Sequence, residues 1–322
     1  MYANAPQRKD VLVMSVKTNI TAHDEELLSK VTDTNFQDNA FNIRKNGKLL
    51  ARNITENVKI ITKEDGSGID IIVKENTEYA IVMIPVILSL SGLTDTVKND
   101  FYIGENANVT IIAGCAVKSD TKKLSTHIGI HRFFVSKNSK VKYVEKHYGS
   151  GCANYKSINP TTEITLEENA KMEIETVQIE GVDTSTRITK ALLKDKSTLT
   201  INEKIMTNNT EEATTNFEID LEGIDSSCHV TSRAVSADNS TQKFISVLNG
   251  NNKCYGHVEC DAILKDSGKV FASPTVNAKH AEASLVHEAT IGKIAGEQLM
   301  KLMSLGLNEK EAEKEIINGF LK

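Results

Sequence analysis

The sequence predicts a mainly β chain wound as a parallel β-helix, with a short helix before the coil and a helical segment after it. Three observations carry this. Short runs alternate polar and apolar residues, as in Asn108-Val109-Thr110-Ile111, Lys140-Val141-Lys142-Tyr143, Lys171-Met172-Glu173-Ile174 and Thr198-Leu199-Thr200-Ile201. Period two is the mark of a half-buried strand. The runs also recur. A pattern of Asn/Asp/Lys, then Ser/Ala/Thr, any residue, apolar, polar, apolar starts at Asn76, Asn106, Asn138, Asn169, Lys196, Asp225 and His280, with a degraded copy at Asn251. The spacings are 30, 32, 31, 27, 29, 26 and 29, the self-similarity of a solenoid in which each repeat makes one circuit. Finally, the 322 residues hold only four prolines and eighteen glycines, which fits a chain laying down one strand per turn without hairpins. An antiparallel sandwich or barrel also has many short strands, though with more Gly/Pro turns and less regular spacing, and it stays the alternative here.

The elements follow in order. Thr21 to Lys30 reads as a helix: Thr21 caps it, Asp24 and Glu25 suit the positive end of its dipole, and Leu27 and Leu28 give an apolar face. Ala40 to Ala51 reads as two strands joined at Asn46-Gly47, a strong hairpin signal. Strand texture runs from about Lys59 to Glu288. Gly296 to Leu305 then shows a helical face at Leu299, Leu302 and Met303, and Gly306 reads as its stop. Asn308 with Glu311 resembles a capping box opening a second helix with apolar Ala312, Ile316, Ile317 and Phe320. The expected organisation is residues 1–55 as a helical and hairpin segment, 56–290 as the coil, and 291–322 as a helical segment. The helical pair is expected to cap the end of the coil, and its two apolar faces equally suit a partner surface.

Composition excludes several roles. A net charge of −5, from 38 basic and 43 acidic residues, gives no basic face for nucleic acid. The most apolar run, Ala80 to Leu90, is short and broken by Pro85, so no membrane span is expected. Met1 to Asp10 is polar and lacks the order of a signal peptide, so a cytoplasmic protein is expected. There is no Gly-x-x-x-x-Gly-Lys-Ser/Thr loop for nucleotide phosphates. The five cysteines form no CxxC pair, which removes zinc-ribbon and thioredoxin-type motifs.

Cys228 and Cys254 fall at the first apolar position of their repeats, where other copies carry Val109, Val141, Met172 and Leu199, and read as core residues. Cys152 lies in the loop Gly149-Ser150-Gly151-Cys152 with nothing nearby to give it a role. Cys115 and Cys260 sit ten positions into their repeats. Cys260 precedes His287 and Glu288 by 27 and 28 residues, about one circuit, which would set all three on neighbouring turns of one face. Thiolate, imidazole and carboxylate together suit iron, zinc or an activated nucleophile. A core thiol beside a surface histidine fits the same spacing. A Cys-His protease finds no supporting sequence context.

These residues carry a family likeness. Val286-His287-Glu288-Ala289-Thr290-Ile291-Gly292-Lys293-Ile294, then Glu297-Gln298-Leu299, Leu302-Met303-Ser304-Leu305-Gly306-Leu307, Glu311-Ala312 and Asn318-Gly319-Phe320 resemble the C-terminal end of the SufB/SufD family. Glu259-Cys260-Asp261-Ala262, Ser273-Pro274, Gly114-Cys115, Phe133-Phe134-Val135, Val141-Lys142-Tyr143 and Asn42-Ile43-Arg44 extend the likeness over most of residues 40–322. These are cytosolic scaffolds of Suf iron–sulfur cluster assembly.

The resemblance implies a right-handed parallel β-helix that is a scaffold, not an enzyme. It implies a SufC-like ABC ATPase docked on the C-terminal segment, for which Leu299, Leu302, Met303, Leu307, Ile316 and Phe320 are the candidate contacts. It also implies a dimer of two β-helix subunits, a cysteine desulfurase or other sulfur donor, and a transient cluster of unspecified type. Cys115 matches the sulfur-receiving cysteine, Cys260 the cluster cysteine, and Glu288 and His287 its neighbouring iron ligands. The intact His-Glu pair and Cys260 make the chain SufB-like, and flavin binding stays open with no support in the sequence. Three departures stand out. Most of the N-terminal helical domain is missing, Ser267 and Gly268 stand where a second cysteine is expected, and Lys146-His147-Tyr148 replaces an aromatic-rich stretch, so a polar path along the coil is not carried over. The short form suggests a homodimer in place of a SufB–SufD pair. A SufD-like structural subunit without a cluster is the alternative. A polysaccharide-acting β-helix enzyme is ranked below both, since aromatic residues are only 5% of the chain.

Overall fold

The computed structural model describes residues 20–32 and 36–322. The expectation for Met1 to Asp10 lies outside them. Helix α1 spans Ala22–Val31, and the first strands are β1 (Ala40–Lys45), β2 (Lys48–Asn53), β3 (Val58–Thr62), β4 (Gly68–Val73), β5 (Ala80–Leu88) and β6 (Thr94–Ile103). There follow β7 (Asn108–Lys118), β8 (Ser125–Val135), β9 (Lys140–Ser150), β10 (Lys156–Ile158), β11 (Thr161–Leu166), β12 (Lys171–Glu180) and β13 (Thr184–Leu193). The coil ends with β14 (Thr198–Thr207), β15 (Glu212–Leu221), β16 (Ser226–Ser236), β17 (Thr241–Gly250), β18 (Cys254–Leu264), β19 (Lys269–Ala278) and β20 (Ala283–Gly292). Helices α2 (Gly296–Ser304) and α3 (Glu309–Phe320) close the chain.

The strands form a β-solenoid of about eight turns. One wall runs β2-β1-β5-β7-β9-β12-β14-β16-β18-β20 and the other β19-β17-β15-β13-β10-β8-β6-β4-β3, with β11 also between β8 and β13. Each circuit therefore lays two strands, one per wall, and not the one expected. Two ten-residue strands and two corners fill a period near thirty. Within the coil the pairing is parallel, as in β12 with β9 and β14.

The repeat start is a corner. Asn76, Asn106, Asn138, Asn169, Lys196 and Asp225 all adopt φ between 56° and 59°, a left-handed conformation that Asn and Asp tolerate better than most residues. The asparagines also stack. Asn106, Asn138 and Asn169 each donate from Nδ2 to Oδ1 of the residue one circuit before, at 2.9, 3.2 and 2.8 Å. Asn251 and His280 do not share this conformation. Asp225 instead donates its backbone N–H to Lys253 on the next circuit, so that repeat is two residues out of the predicted phase. As a result Cys228 stands opposite Leu199 and Gly256, whereas Cys254 stands opposite Ser226 and Ala283. Both thiols are core residues as expected, but in different columns.

Inward residues alternate along each strand and make one long core. Phe101 and Phe133 stack at 4.3 Å, and Tyr143 meets Phe133 edge-on. Helix α1 begins at a Thr21–Asp24 capping box and packs Leu27, Leu28 and Val31 against Met83, Ile87 and Ala116. The expected hairpin is β1–β2, turning at Asn46 and Gly47 with φ of 49° and 78°. With the antiparallel β3–β4 pair it closes the first end of the coil.

The other end is open. β19 and β20 are the terminal strands of the two walls, and most of their residues are exposed. The C-terminal helices do not cover this edge, contrary to the expected cap. α3 lies on the outer surface of the β14-β16-β18 wall, where Ile317, Leu321 and Phe320 meet Met206, Val235, Ile263 and Ile294. Lys265 to Glu313 at 2.8 Å fixes the helix, as does Lys204 Nζ donating to the Lys322 carbonyl at 2.6 Å. The outward apolar residues of the wall need cover, and the helix supplies it. No described helix is long and apolar enough to cross a membrane.

Candidate functional site

Cys260 lies on β18, directly opposite Ser232 on β16 and Ala289 on β20. Its side chain points inward and is fully buried. Burial, with Glu203 and Asp261 adding negative charge, pushes the thiol up to about 12. His287 stands opposite Val258, so it shares the inward side with Cys260, one diagonal step away. Its Nε2 has no hydrogen-bond partner, and burial together with the nearby His257 lowers its affinity for a proton.

Glu288 goes the other way. Successive residues of a strand point to opposite faces, so the adjacency of His287 and Glu288 lets only one of them face Cys260. Glu288 stands opposite Glu259 on the outer surface, with its Oε2 3.7 Å from His257 Nε2. The circuit here is 29 residues, from Cys260 to Ala289, not the 27 or 28 read from spacing. Among the described residues no three His, Cys, Asp or Glu side chains are gathered into a metal site.

Cys115 is on β7, opposite Val86 and His147. It is buried among Val86, Leu88, Val117, Ile158 and Val182. Burial, then the charges of Asp95 and Glu145, hold its thiol well above the ordinary range. Cys152 is the exposed thiol, with Sγ 3.8 Å from the Asp120 carbonyl.

The two candidate cysteines belong to neighbouring inward columns of one wall. One column runs Cys115, His147, Gln178. The other runs Ala113, Glu145, Thr176, Glu203, Ser232, Cys260. Polar groups join across them inside the coil. His131 Nδ1 lies 2.6 Å from Tyr143 OH, which donates to Glu145 Oε1 at 3.0 Å. Arg187 from the facing wall donates to Glu145, approaches His147 Nδ1 at 3.3 Å and sets its Nε 3.7 Å from Glu203 Oε1. Glu203 then accepts from Thr215 at 2.9 Å and from Ser232 at 2.7 Å, beside Cys260. Burial pushes Glu145 up, but Arg187 and His147 outweigh it and hold the carboxyl well below its usual range. Two voids adjoin this line, each with room for about one water. Glu203, Thr215, Ser232 and Cys260 line one, and Arg187, Gln178 and Glu203 the other.

Sequence reasoning missed this line and declined a polar path. The signal was present: in Val141-x-Tyr143-x-Glu145-x-His147 the polar residues keep the inward phase of the apolar ones, as does Glu203 after Leu199 and Ile201.

The six expected partner contacts divide. Phe320 packs on the wall, and Met303 is exposed on α2. Leu299, Leu302, Leu307 and Ile316 are half-buried. α2 buries no residue, and it exposes Met300 and the following Leu305 as well.

Comparison with known proteins places these features in context. The family model described as "SUF system FeS cluster assembly, SufBD core domain" matches residues 95–320. An "Iron-sulfur cluster assembly SufBD family protein" of Methanothermobacter thermautotrophicus is 29% identical over 229 residues, 70% of this chain and 55% of the relative. One of Archaeoglobus fulgidus is 29% identical over 227 residues, 70% of this chain and 60% of its own. One of Methanocaldococcus jannaschii is 25% identical over 239 residues, 71% of this chain and 72% of its own. The matched part thus spans little more than half the length of the first two relatives.

Proposed function

The chain belongs to the SufBD family of the SUF iron–sulfur cluster assembly system, and from that premise we propose that it is a scaffold on which a nascent cluster is built and passed to apo-proteins. The cluster is cargo. The chain itself catalyses nothing, and ATP hydrolysis belongs to a SufC-like ABC ATPase docked on α2 and α3. It works in the cytoplasm as a dimer, with a second copy or a SufD-type subunit meeting the open β19 and β20 edges. An unpaired strand edge is a template for another chain.

One observation carries the reading: Cys260 ends an internal line of polar side chains one strand in from the open end of the coil. In this role Cys115 takes sulfur from a donor persulfide. Its thiolate attacks the outer sulfur, and the donor cysteine leaves as thiolate; an external dithiol reductant then supplies the two electrons that release this sulfur as sulfide and restore the Cys115 thiol. Cys260 holds sulfide and iron, with His287 on the same inner side; Glu288 faces outward in the closed coil and joins only when opening moves the edge strand. Thiolate is the strong ligand for such a cluster, while imidazole and carboxylate release it more readily. Both thiols are protonated in the closed coil, which keeps them unreactive until the ATPase opens the dimer and admits water.

The same protonation favours the second reading, a SufD-like subunit that binds the ATPase without a cluster. Anaerobic reconstitution with iron and sulfide separates the two. A scaffold develops cluster absorbance that Cys260→Ala abolishes; a structural subunit shows no dependence on Cys260, His287 or Glu288.

A further inference from the structure

We propose that the interior of the coil carries a transition-metal site near its closed end, with His127 Nε2 and His131 Nε2 as ligands, the amide oxygen of Asn99 as a third, and Gly129 leaving the room for the ion. The site is separate from the Cys260 thiol and needs nothing from the scaffold reading.

The register assembles the site. His127, Gly129 and His131 share the inner side of β8, opposite Asp95, Val97 and Asn99 of β6. Both imidazoles are buried, and both lean toward the glycine between them. A Cβ at Gly129 would stand 3.3 Å from His127 Nε2 and 3.4 Å from His131 Nε2, with the next atom, His127 Cδ2, at 3.9 Å. Each ring is held from behind. His127 Nδ1 lies 3.1 Å from Asp95 Oδ2, while Asp95 Oδ1 accepts from Arg44 at 2.8 Å. An ion-paired carboxylate only accepts, so His127 carries its proton on Nδ1. His131 Nδ1 lies 2.6 Å from Tyr143 OH, whose own proton goes to Glu145, so His131 takes the same tautomer. Two unprotonated nitrogens thus converge on one gap, and facing acceptors need a metal ion or a double donor such as water between them. Imidazoles backed in this way by a carboxylate, directly or through one hydroxyl, are the common metal-ligating arrangement. Asn99 supplies the third donor. Its amide lies 3.4 Å from His131 Nε2, and its buried Oδ1 has no hydrogen-bond partner. A half-turn of the amide exchanges nitrogen and oxygen and sets Oδ1 at the roughly 3.4 Å that separates two ligands of a tetrahedral ion. Bonds of about 2.0–2.1 Å are reached when each imidazole moves in by roughly 1 Å. Two imidazoles and an amide oxygen suit zinc, cobalt or ferrous iron. Because one donor is an amide, no trio of His, Cys, Asp or Glu marks the site among the described residues.

The test is anaerobic equilibration of the full chain with Co2+, without iron or sulfide, read by its visible spectrum and its thermal midpoint. The expected spectrum is that of nitrogen and oxygen ligation, without a sulfur-to-cobalt charge-transfer band, and the midpoint should rise with Co2+. His127→Gln removes a ligand. Gly129→Ala keeps every ligand and fills the gap, on a strand backbone that alanine adopts. Each should weaken binding about tenfold or more, since losing even a supporting contact costs that much at metal sites, and circular dichroism checks their fold. Cys260→Ala and Glu288→Gln should leave binding unchanged. Unchanged binding in either His127→Gln or Gly129→Ala overturns the inference. A charge-transfer band lost in Cys260→Ala overturns it too, while leaving that thiol's role in cluster assembly standing. No binding by the unmodified chain leaves water as the occupant of the gap and overturns it as well.

Discussion

Cys260 and Ala289 face each other across the β18–β20 ladder, and that one pairing sends His287 to the inner surface of the coil and Glu288 to the outer. Three residues that the sequence sets side by side in one circuit are divided by a wall. The thiol lies within a polar interior, and the carboxylate sits on the outer surface beside the half-buried His257.

Arg187 is the hinge of that interior. It sits between Glu145 and Glu203, both buried. Arg187→Met leaves two carboxylates without their counter-charge. Breaking a buried pair from one side costs about 3–5 kcal/mol, and urea unfolding at neutral pH should show a loss of that size. An unchanged midpoint would mean that the line is not held by charge.

Thiol reactivity follows burial. Of the five cysteines, four are buried and Cys152 is exposed. A thiol reagent at pH 8 should modify about one equivalent rapidly, and Cys152→Ser should remove that phase. Denaturant should release the rest. Rapid modification of Cys260 in the isolated folded chain would contradict the closed coil.

A pH dependence is written into one corner. Burial, with Asp183 and Asp238 nearby, raises Glu211 from 4.5 to about 7. A folded pKa above the unfolded one means the native state binds the extra proton. The associated stability is full below about pH 4.5 and is lost as pH rises through about 7. Glu211→Gln should therefore stabilise the chain at pH 8 and leave it nearly unchanged at pH 4.5, read as the difference between two thermal melts.

The C-terminal helices should separate into two functions. Ile317→Ala, at a buried contact of α3 with the wall, should cost about 2 kcal/mol or more and loosen the helix, read as faster proteolysis of the last thirty or so residues. Met303→Asp, on exposed α2, should leave stability intact and abolish co-elution with a SufC-like ATPase. The reverse pattern would exchange the roles of the helices.

The coil was readable because its corners demand special residues. Asn76, Asn106, Asn138 and Asn169 are conspicuous both as a left-handed corner and as a repeat start. Where the corner residue changes, at Asn251, the phase slips and Cys254 is misplaced by two positions. The second strand of each circuit is harder to read for a related reason: its corners change type along the coil, from Gly92, Gly151 and Gly181 in earlier circuits to Asn209, Asp238 and Asp266 in later ones. For the site, spacing brought Cys260 and His287 to one side of one wall but misjudged Glu288, because a one-residue error in circuit length reverses the face on which a side chain lies. The polar line lay in the alternation itself, hidden by the expectation that inward positions are apolar.

The most direct test of the central claim is anaerobic reconstitution of the purified chain with ferrous iron and sulfide, measured as bound iron, bound sulfide and cluster absorbance, for the unmodified protein and Cys260→Ala. The scaffold account predicts a cluster on the unmodified chain and its loss in the variant, with the fold intact by circular dichroism. Equal iron, sulfide and absorbance in the two proteins would contradict it.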